Sequence, residues 1–325
     1  MTQLAIVQKA PVFLDRDQTL KLAVACIDEA AANGADLVVF SECFIPGYPA
    51  WIWRLRPGGD WNLAEALHQR LSRNAIDLTA GDLAPLCAAA ARHRVTVVCG
   101  IEERTGELSR ATLYNSVVTI GPDGALLNRH RKLMPTNPER MVWGFGDGSG
   151  LRVTATAAGR IGALICWENF MPLARYALYA QGVEIYIAPT YDSGEGWTGT
   201  LQHIAREGCC WVVGCGNLLQ GHDLPADLPG RAEHYPDADE WINPGDSVVI
   251  APGGEVVAGP LHAESGILYH QLDLERARDA KRALDVTGHY SRPDIFQLHV
   301  DNRPQSPCVF EAPADPPGVS ATSAR

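Results

Sequence analysis

The chain has 325 residues, of which 46% are hydrophobic and 20% are charged. This composition is typical of a globular protein large enough to bury a sizeable apolar core without disulfides or metals. The formal net charge of −11 argues against nucleic acid or an anionic membrane as a partner, because both select a basic surface.

The nine cysteines are odd in number and irregularly spaced, which does not indicate a secreted disulfide framework. No C-x-x-C pair and no H-E-x-x-H motif occurs, and no phosphate-binding glycine loop is present, so we expect neither a metal nor a cofactor. The N-terminus lacks a cleavable leader pattern, and no apolar run is long enough to predict a membrane span. We therefore expect a protein of the reducing cytoplasm.

In the first part of the chain, apolar runs of strand length alternate with apolar residues at helical spacing. The predicted elements are strand Leu4–Gln8, helix Leu20–Asn33, strand Asp36–Phe40, helices Leu63–Ile76 and Asp82–His93, strand Val95–Ile101, and strands Leu113–Ile120 and Leu126–Leu133. The last two strands flank a Gly-Pro-Asp-Gly turn at 121–124, which is a strong hairpin signal.

The same alternation continues to the end of the pattern. The predicted elements are strands Leu151–Thr156 and Arg160–Cys166, helix Leu173–Gln181, strand Val183–Pro189, helix Trp197–Glu207, strand Cys210–Cys215, a polar loop over 218–243, hairpin strands Ser247–Ala251 and Val256–Ala258, strand Ile267–Leu272 and helix Leu274–Leu284. No linker interrupts them. We predict one α/β domain over residues 1–311, with helices covering mixed sheets, and a disordered tail over 312–325 that is rich in Pro, Ala and Ser.

Three segments carry residues suited to chemistry. Glu42 directly follows a predicted buried strand, where desolvation would raise the pKa of a carboxyl group and suit it to act as a general base. Lys132 lies near the end of the second predicted hairpin strand, where the chain enters a proline-rich loop, and could supply an inward-facing charge. Cys166 ends a predicted strand before a helix that begins near Pro172, an elbow that favours a reactive thiol. Each has an ordinary alternative: a solvated loop glutamate, a cationic strand edge and a structural buried cysteine.

Taken together and in chain order, these segments resemble the nitrilase superfamily of carbon–nitrogen hydrolases, whose members use a Glu–Lys–Cys triad. The resemblance rests on the glutamate at a strand end, the run H-R-K-L-M-P-T at 130–136 and the motif C-W-E at 166–168. It implies that Glu42, Lys132 and Cys166 are catalytic, with Glu139 as a second catalytic glutamate that orients Lys132 or a group close to the substrate. It also implies a four-layer α-β-β-α sandwich, a homodimer formed through a helix face, and in nitrilases often a larger spiral.

Trp167 and Glu168 after the cysteine indicate the nitrilase branch, because family amidases and carbamoylases usually carry another residue at 167. The resemblance then implies a small-molecule nitrile substrate, converted to a carboxylic acid and ammonia through a thioimidate and a thioester on the cysteine. An amidase or carbamoylase, a cyanide dihydratase and a non-catalytic scaffold subunit remain as alternatives.

Aromatic residues near the motifs are candidates for the substrate pocket: Tyr48, Trp167 and Tyr191. Tyr191 departs from the Ala common in nitrilases, and Asn137-Pro138 departs from their aromatic or His pair, so the substrate cannot be copied from better-known members. Trp51 and Trp53 could either line the pocket or pack in the core. Asn169 is interpreted as a helix cap.

Overall fold

The protein is described by a computed structural model that covers residues 1–105, 109–306 and 308. Its strands are β1 Thr2–Gln8, β2 Leu37–Phe40, β3 Thr96–Arg104, β4 Leu113–Ile120, β5 Leu126–Arg131, β6 Thr154–Thr156, β7 Gly159–Ala163, β8 Ile185–Thr190, β9 Trp211–Gly216, β10 Leu218–Gln220, β11 Trp241–Ile250, β12 Val256–His262 and β13 Gly266–Leu272. Runs of Val, Ile and Leu dominate the central strands, as expected for strands covered on both faces.

In the part of the chain that the structure describes, seven α-helices accompany the strands: α1 Arg16–Ala32, α2 Trp61–Asn74, α3 Ala84–His93, α4 Pro172–Tyr179, α5 Gly194–Gly208, α6 Arg231–His234 and α7 Leu274–Ala280. The first begins where the side chain of Asp15 accepts a hydrogen bond from the backbone N–H of Gln18, a standard N-cap. Every helix within the described residues is too short or too polar to span a lipid bilayer.

The strands form two mixed sheets. The six-stranded sheet has the order β13-β1-β2-β3-β4-β5, and the seven-stranded sheet has the order β10-β11-β9-β8-β7-β6, with β12 paired to β11. In the first sheet β2 is parallel to β1 and β3. In the second sheet β8 is parallel to β7 and β9. Parallel pairs place their carboxyl ends along one edge, which is where α/β proteins present functional side chains.

Four apolar clusters lie within the described residues, and three of them form the layers between sheets and helices, while the fourth packs α2 against the loop that carries Tyr48 and Trp51. Helices α1 and α3 pack on the outer face of the six-stranded sheet, where Ile27 and Leu86 share one buried apolar cluster with strand residues such as Val38. Helices α4 and α5 cover the outer face of the seven-stranded sheet. The middle layer joins the two sheets through buried side chains from both, including Ile6 and Ile187. The layers therefore confirm the predicted α-β-β-α sandwich.

Two expectations from the sequence need correction. The strand predicted to end at Cys166 ends at Ala163, and Cys166 instead opens a short 3₁₀ turn, Cys166–Phe170. The polar loop predicted over 218–243 contains β10, α6 and the start of β11. The predicted tail at 312–325 lies outside the described residues.

Candidate active site

The two sheets bring three distant segments together. Glu42 follows β2 and Lys132 follows β5, so both come from the six-stranded sheet. Cys166 comes from the other sheet, three residues after the end of β7. All three are buried, with exposed fractions of 0%, 1% and 4%. The arrangement places a carboxylate, an ammonium and a thiol in one region across the junction of the sheets.

Lys132 lies between two carboxylates. Its Nζ donates to Oε1 of Glu42 at 2.9 Å and to Oε2 of Glu139 at 2.7 Å. Burial alone lowers the pKa of Lys132, but the charges of Glu42, Cys166 and Glu139 outweigh burial and raise it well above the ordinary value. The ammonium therefore stays charged at neutral pH, as expected for a buried cation with opposite charges around it.

Glu42 is held by a fixed set of donors. Besides Lys132, the side-chain amide of Asn115 donates to Oε1 at 2.6 Å, and the backbone N–H of Tyr191 donates to Oε2 at 2.6 Å. Asn217 donates to its backbone carbonyl at 3.0 Å. Burial raises the pKa of Glu42, Lys132 lowers it in part, and the charge of Glu139 raises it further. A carboxyl group of this kind can take up a proton at higher pH than an exposed glutamate can.

A glycine allows the segment that carries Glu42 to reach this position. A Cβ on Gly100 of β3 would lie 2.2 Å from the carbonyl oxygen of Ser41 and 2.8 Å from Cα of Glu42. Only a residue without a side chain permits this approach of the two backbones.

Glu139 is fixed by the turn in which it lies. The backbone N–H of Thr136 donates to Oε2 at 2.6 Å, as part of a capping box at the start of the 3₁₀ turn Asn137–Met141. The hydroxyl of Tyr48 donates to Oε1 at 2.7 Å. The same carboxylate thus contacts the ammonium of Lys132, the turn and one wall of the neighbouring cavity.

Cys166 lies in a strained backbone position at the start of its turn. Its φ of 51° falls in the left-handed region, which residues with a side chain rarely adopt. Asn169 holds this turn, since its side-chain amide donates to the carbonyls of Leu164 at 2.9 Å and Cys166 at 2.7 Å. The N-cap of α4 is Met171. The interpretation of Asn169 as a helix cap is therefore wrong, because its amide closes the cysteine turn instead.

The electrostatic surroundings keep the thiol protonated. Burial raises the pKa of Cys166 to about 12, together with the charges of Glu42 and Glu139, and Lys132 partly opposes them. The thiol therefore needs a base to become a nucleophile at neutral pH, because the thiolate is the reactive form.

A cavity of about 230 Å³ opens over Cys166. Its lining consists of Tyr48, Trp53, Thr136, Glu139, Cys166, Trp167, Tyr191, Asp192, Ser193, Ile242 and Asn243. The lining thus includes the three residues predicted to bind substrate. Glu42 and Lys132 are not among the lining residues, but each contacts a residue that is: Glu42 accepts from the backbone N–H of Tyr191, and Lys132 donates to Glu139.

Aromatic side chains shape the walls of this cavity. The rings of Tyr48 and Tyr191 are stacked, with centroids 3.9 Å apart and an interplanar angle of 11°. Trp167 is 47% exposed, and its indole N–H donates to Oδ2 of Asp192 at 2.8 Å. Trp53 lines the cavity, whereas Trp51 is buried and lines a separate groove. Trp53 therefore lines the pocket, whereas Trp51 packs in the core.

Sequence reasoning missed the polar residues that hold the site, among them Asn115, Thr136 and Asn217. Only a capping-box pattern at 136–139 could have indicated one of them. Within residues 1–105, 109–306 and 308, no group of three or more His, Cys, Asp or Glu side chains is arranged to hold a metal ion.

The chain belongs to the carbon–nitrogen hydrolase family, whose sequence pattern matches residues 3–282. Similar proteins include a bifunctional nitrilase/nitrile hydratase of Lupinus angustifolius, which is 41% identical over 310 residues, or 94% of this chain and 87% of that protein. An aliphatic nitrilase of Sinorhizobium fredii (strain HH103) is 40% identical over 314 residues, or 95% of this chain and 98% of that protein. The predicted membership of the nitrilase branch is confirmed.

The fold is shared with solved structures at lower sequence identity. A carbon–nitrogen hydrolase from Helicobacter pylori G27 matches with a TM-score of 0.68 and 21% identity, covering 91% of this chain and 96% of that chain. At this identity the likeness concerns the fold, which agrees with the four-layer sandwich described above.

Proposed function

We propose that this chain is a nitrilase, which hydrolyses an organic nitrile to the carboxylic acid and ammonia with Cys166 as the nucleophile. One observation carries the proposal: a buried thiol at the floor of a cavity lies in the field of one ammonium and two carboxylates. Relatives named as nitrilases, at 40–41% identity over most of the chain, support the choice of nitriles as substrates.

In the first half of the reaction, Glu42 takes the proton of the Cys166 thiol, and the thiolate attacks the nitrile carbon. The nitrile nitrogen takes up that proton, which gives a thioimidate. Negative charge that develops on the nitrogen is stabilised by Lys132 and by the backbone N–H of Trp167. This N–H is the second in its 3₁₀ turn, a position that helical geometry leaves without an intrahelical acceptor.

In the second half, Glu42 activates a water that adds to the thioimidate carbon. The resulting tetrahedral intermediate releases ammonia after its nitrogen is protonated, and a thioester to Cys166 remains. A second water adds to the thioester, the thiolate leaves and regains a proton, and the carboxylic acid is released. Overall, one nitrile and two water molecules are consumed, and one carboxylic acid and one ammonia are released.

The tetrahedral intermediate can also expel the thiolate before ammonia leaves, which gives the amide after one water. The similar protein of Lupinus angustifolius is a bifunctional nitrilase/nitrile hydratase, and hydration of a nitrile yields an amide. We therefore expect some amide beside the acid.

Glu139 orients Lys132 in this proposal, on the strength of its 2.7 Å contact with Nζ. Tyr48, Trp167 and Tyr191 bind the organic group of the nitrile, since all three line the cavity that contains Cys166.

Ammonia release from a panel of nitriles and the matching amides tests the function, with Cys166→Ala as the blank. We expect wild type to release ammonia and acid from at least one nitrile and the blank to release none. Ammonia from amides alone would instead identify an amidase, and ammonia with formate from cyanide alone would identify a cyanide dihydratase. Equal rates for wild type and blank on every substrate would leave no enzyme role for this site.

We further propose self-association through the surface around the start of α4. Leu173 is 66% exposed and Phe170 is 50% exposed there, and such apolar side chains favour an interface over solvent. A cytoplasmic location is proposed as well, and all nine cysteines, each in the described part of the chain, are unpaired, which suits a reducing compartment.

A further inference from the structure

A buried carboxylate joins the two segments that carry Lys132 and Cys166. Glu168 is 1% exposed, and its Oε1 accepts from the backbone N–H of Leu133 at 2.6 Å. Its Oε2 accepts from the backbone N–H of Ile165 at 2.7 Å. Leu133 directly follows Lys132, and Ile165 directly precedes Cys166. One side chain therefore ties together segments that belong to different sheets.

A buried histidine completes the contacts of this carboxylate. Nε2 of His130 lies 3.1 Å from each oxygen of Glu168, and His130 is 0% exposed. Because Nε2 faces two acceptors, it carries a proton. Nδ1 of His130 has no hydrogen-bond partner among the described residues.

We propose that Glu168, supported by His130, is a positioning residue that sets the separation between the ammonium of Lys132 and the thiol of Cys166. It does not line the cavity and acts only through its two backbone contacts. The assignment rests on the proposed function in so far as Lys132 and Cys166 are the reacting groups.

The physical consequence follows from the distance dependence of charge interactions. The charge of Lys132 favours the thiolate form of Cys166, and this effect weakens as the two groups move apart. A displacement of about 1 Å in an active site can lower the rate by roughly 10²-fold. A carboxylate that fixes the backbone beside Lys132 and the backbone beside Cys166 is therefore expected to affect the rate of the reaction more than the binding of substrate.

The substitution Glu168→Gln tests this role with little change in shape. A glutamine offers one oxygen, so its amide group would face one of the two backbone N–H groups, donor against donor. We expect kcat on a nitrile to fall by roughly 10–100-fold, with KM changed much less.

Alkylation of Cys166 by iodoacetamide, followed by mass spectrometry of its peptide at fixed pH, separates positioning from general loosening. If Lys132 moves away, less thiolate forms and alkylation slows several-fold. If the variant merely loosens the fold, the buried thiol becomes more accessible and alkylation speeds up. Faster alkylation, or unchanged kcat and alkylation rate, would overturn the proposal. A failure of wild type to hydrolyse nitriles would instead count against the proposed function, because alkylation needs no substrate.

Two further variants sharpen the comparison. Glu184→Gln is a matched control, because Glu184 also accepts from a backbone N–H, that of Arg160 at the start of β7, at 3.1 Å. Its other partner is the guanidinium of Arg278 in α7, so neither contact involves the segments of Lys132 and Cys166. It is expected to leave kcat and the alkylation rate unchanged. At the histidine, His130→Gln retains a donor to Glu168 and is expected to retain most of kcat, whereas His130→Leu is expected to behave as Glu168→Gln does. Equal activity of the two His130 variants would contradict the assignment.

Discussion

The chemistry depends on a few charged side chains in a dry environment. A buried ion pair is expensive to form unless every oxygen and nitrogen is satisfied. Here the carboxylates of Glu42 and Glu139 accept from Asn115, Thr136 and Tyr48 as well as from Lys132. The cluster is therefore fixed before substrate binds, which is the arrangement that electrostatic catalysis requires.

Replacement of the proposed base tests this cluster at the level of one residue. We expect Glu42→Gln to lower kcat/KM by ~10²–10⁴-fold, because general-base help is lost while shape is retained. Burial raises the pKa of Glu42 in the wild type. Glu42 is ionised, and can act as a base, only when the pH is above its raised pKa. Activity is therefore expected to be lost on acidification at a higher pH than it would be if the base had the pKa of an exposed glutamate.

The measurement is the pH profile of kcat/KM. Glu103→Gln serves as a control, because Glu103 is also buried and accepts from Ser116 and Arg131, outside the proposed machinery. The Glu103→Gln variant is expected to show the acid limb of the kcat/KM profile at the same pH as the wild type. An acid limb of the wild type in the range of an exposed carboxyl, or near-normal activity of Glu42→Gln, would rule out the assigned base.

At the scale of elements, the apolar pattern predicts most strands and helices, and Leu113–Ile120 is predicted with its observed bounds. The pattern fails over 218–243. There β10 has only three residues and exists through its pairing with β11, a contact that no local period reveals. The polar partners of Glu42 were equally unpredictable, because Asn115 and Asn217 reach it only through tertiary packing.

The contact between β3 and the segment after β2 gives a prediction at this scale. Gly100→Ala would force its Cβ against the backbone of Ser41 and Glu42. We expect the free energy of unfolding to fall by about 1–3 kcal/mol, as in other overpacked cores, and kcat to fall because Glu42 moves.

Denaturant titration and nitrile turnover measure these two effects. Gly266→Ala is the matched control, since Gly266 also lies in a strand but a Cβ there meets no atom within 4 Å. Both quantities should stay near wild type in that variant. Normal turnover in Gly100→Ala would show that this close approach does not position the base.

At the scale of the whole molecule, the site exists because two sheets pack face to face. Residues 42 and 132 come from one sheet and residue 166 from the other. Apolar periodicity predicts strands and helices but not how two sheets stack. The apolar periodicity of the sequence therefore predicts only the α/β class. The four-layer arrangement and the meeting of residues 42, 132 and 166 were predicted from the resemblance to a family.

The proposed self-association also belongs to this scale. We expect Leu173→Glu to lower the mass in light scattering to that of a single chain, because a charge replaces an apolar side chain at the start of α4. Val12→Glu is the control, since Val12 is also exposed but lies in the loop before α1. An oligomer that persists in Leu173→Glu would place the interface elsewhere.

The central claim is that Cys166 forms the covalent intermediate, and rapid acid quench with mass spectrometry tests it most directly. During turnover of a nitrile substrate, we expect the peptide containing Cys166 to gain the mass of the nitrile or of its acyl group. Turnover with an unmodified Cys166 peptide, or with the adduct on another of the nine cysteines, would contradict it.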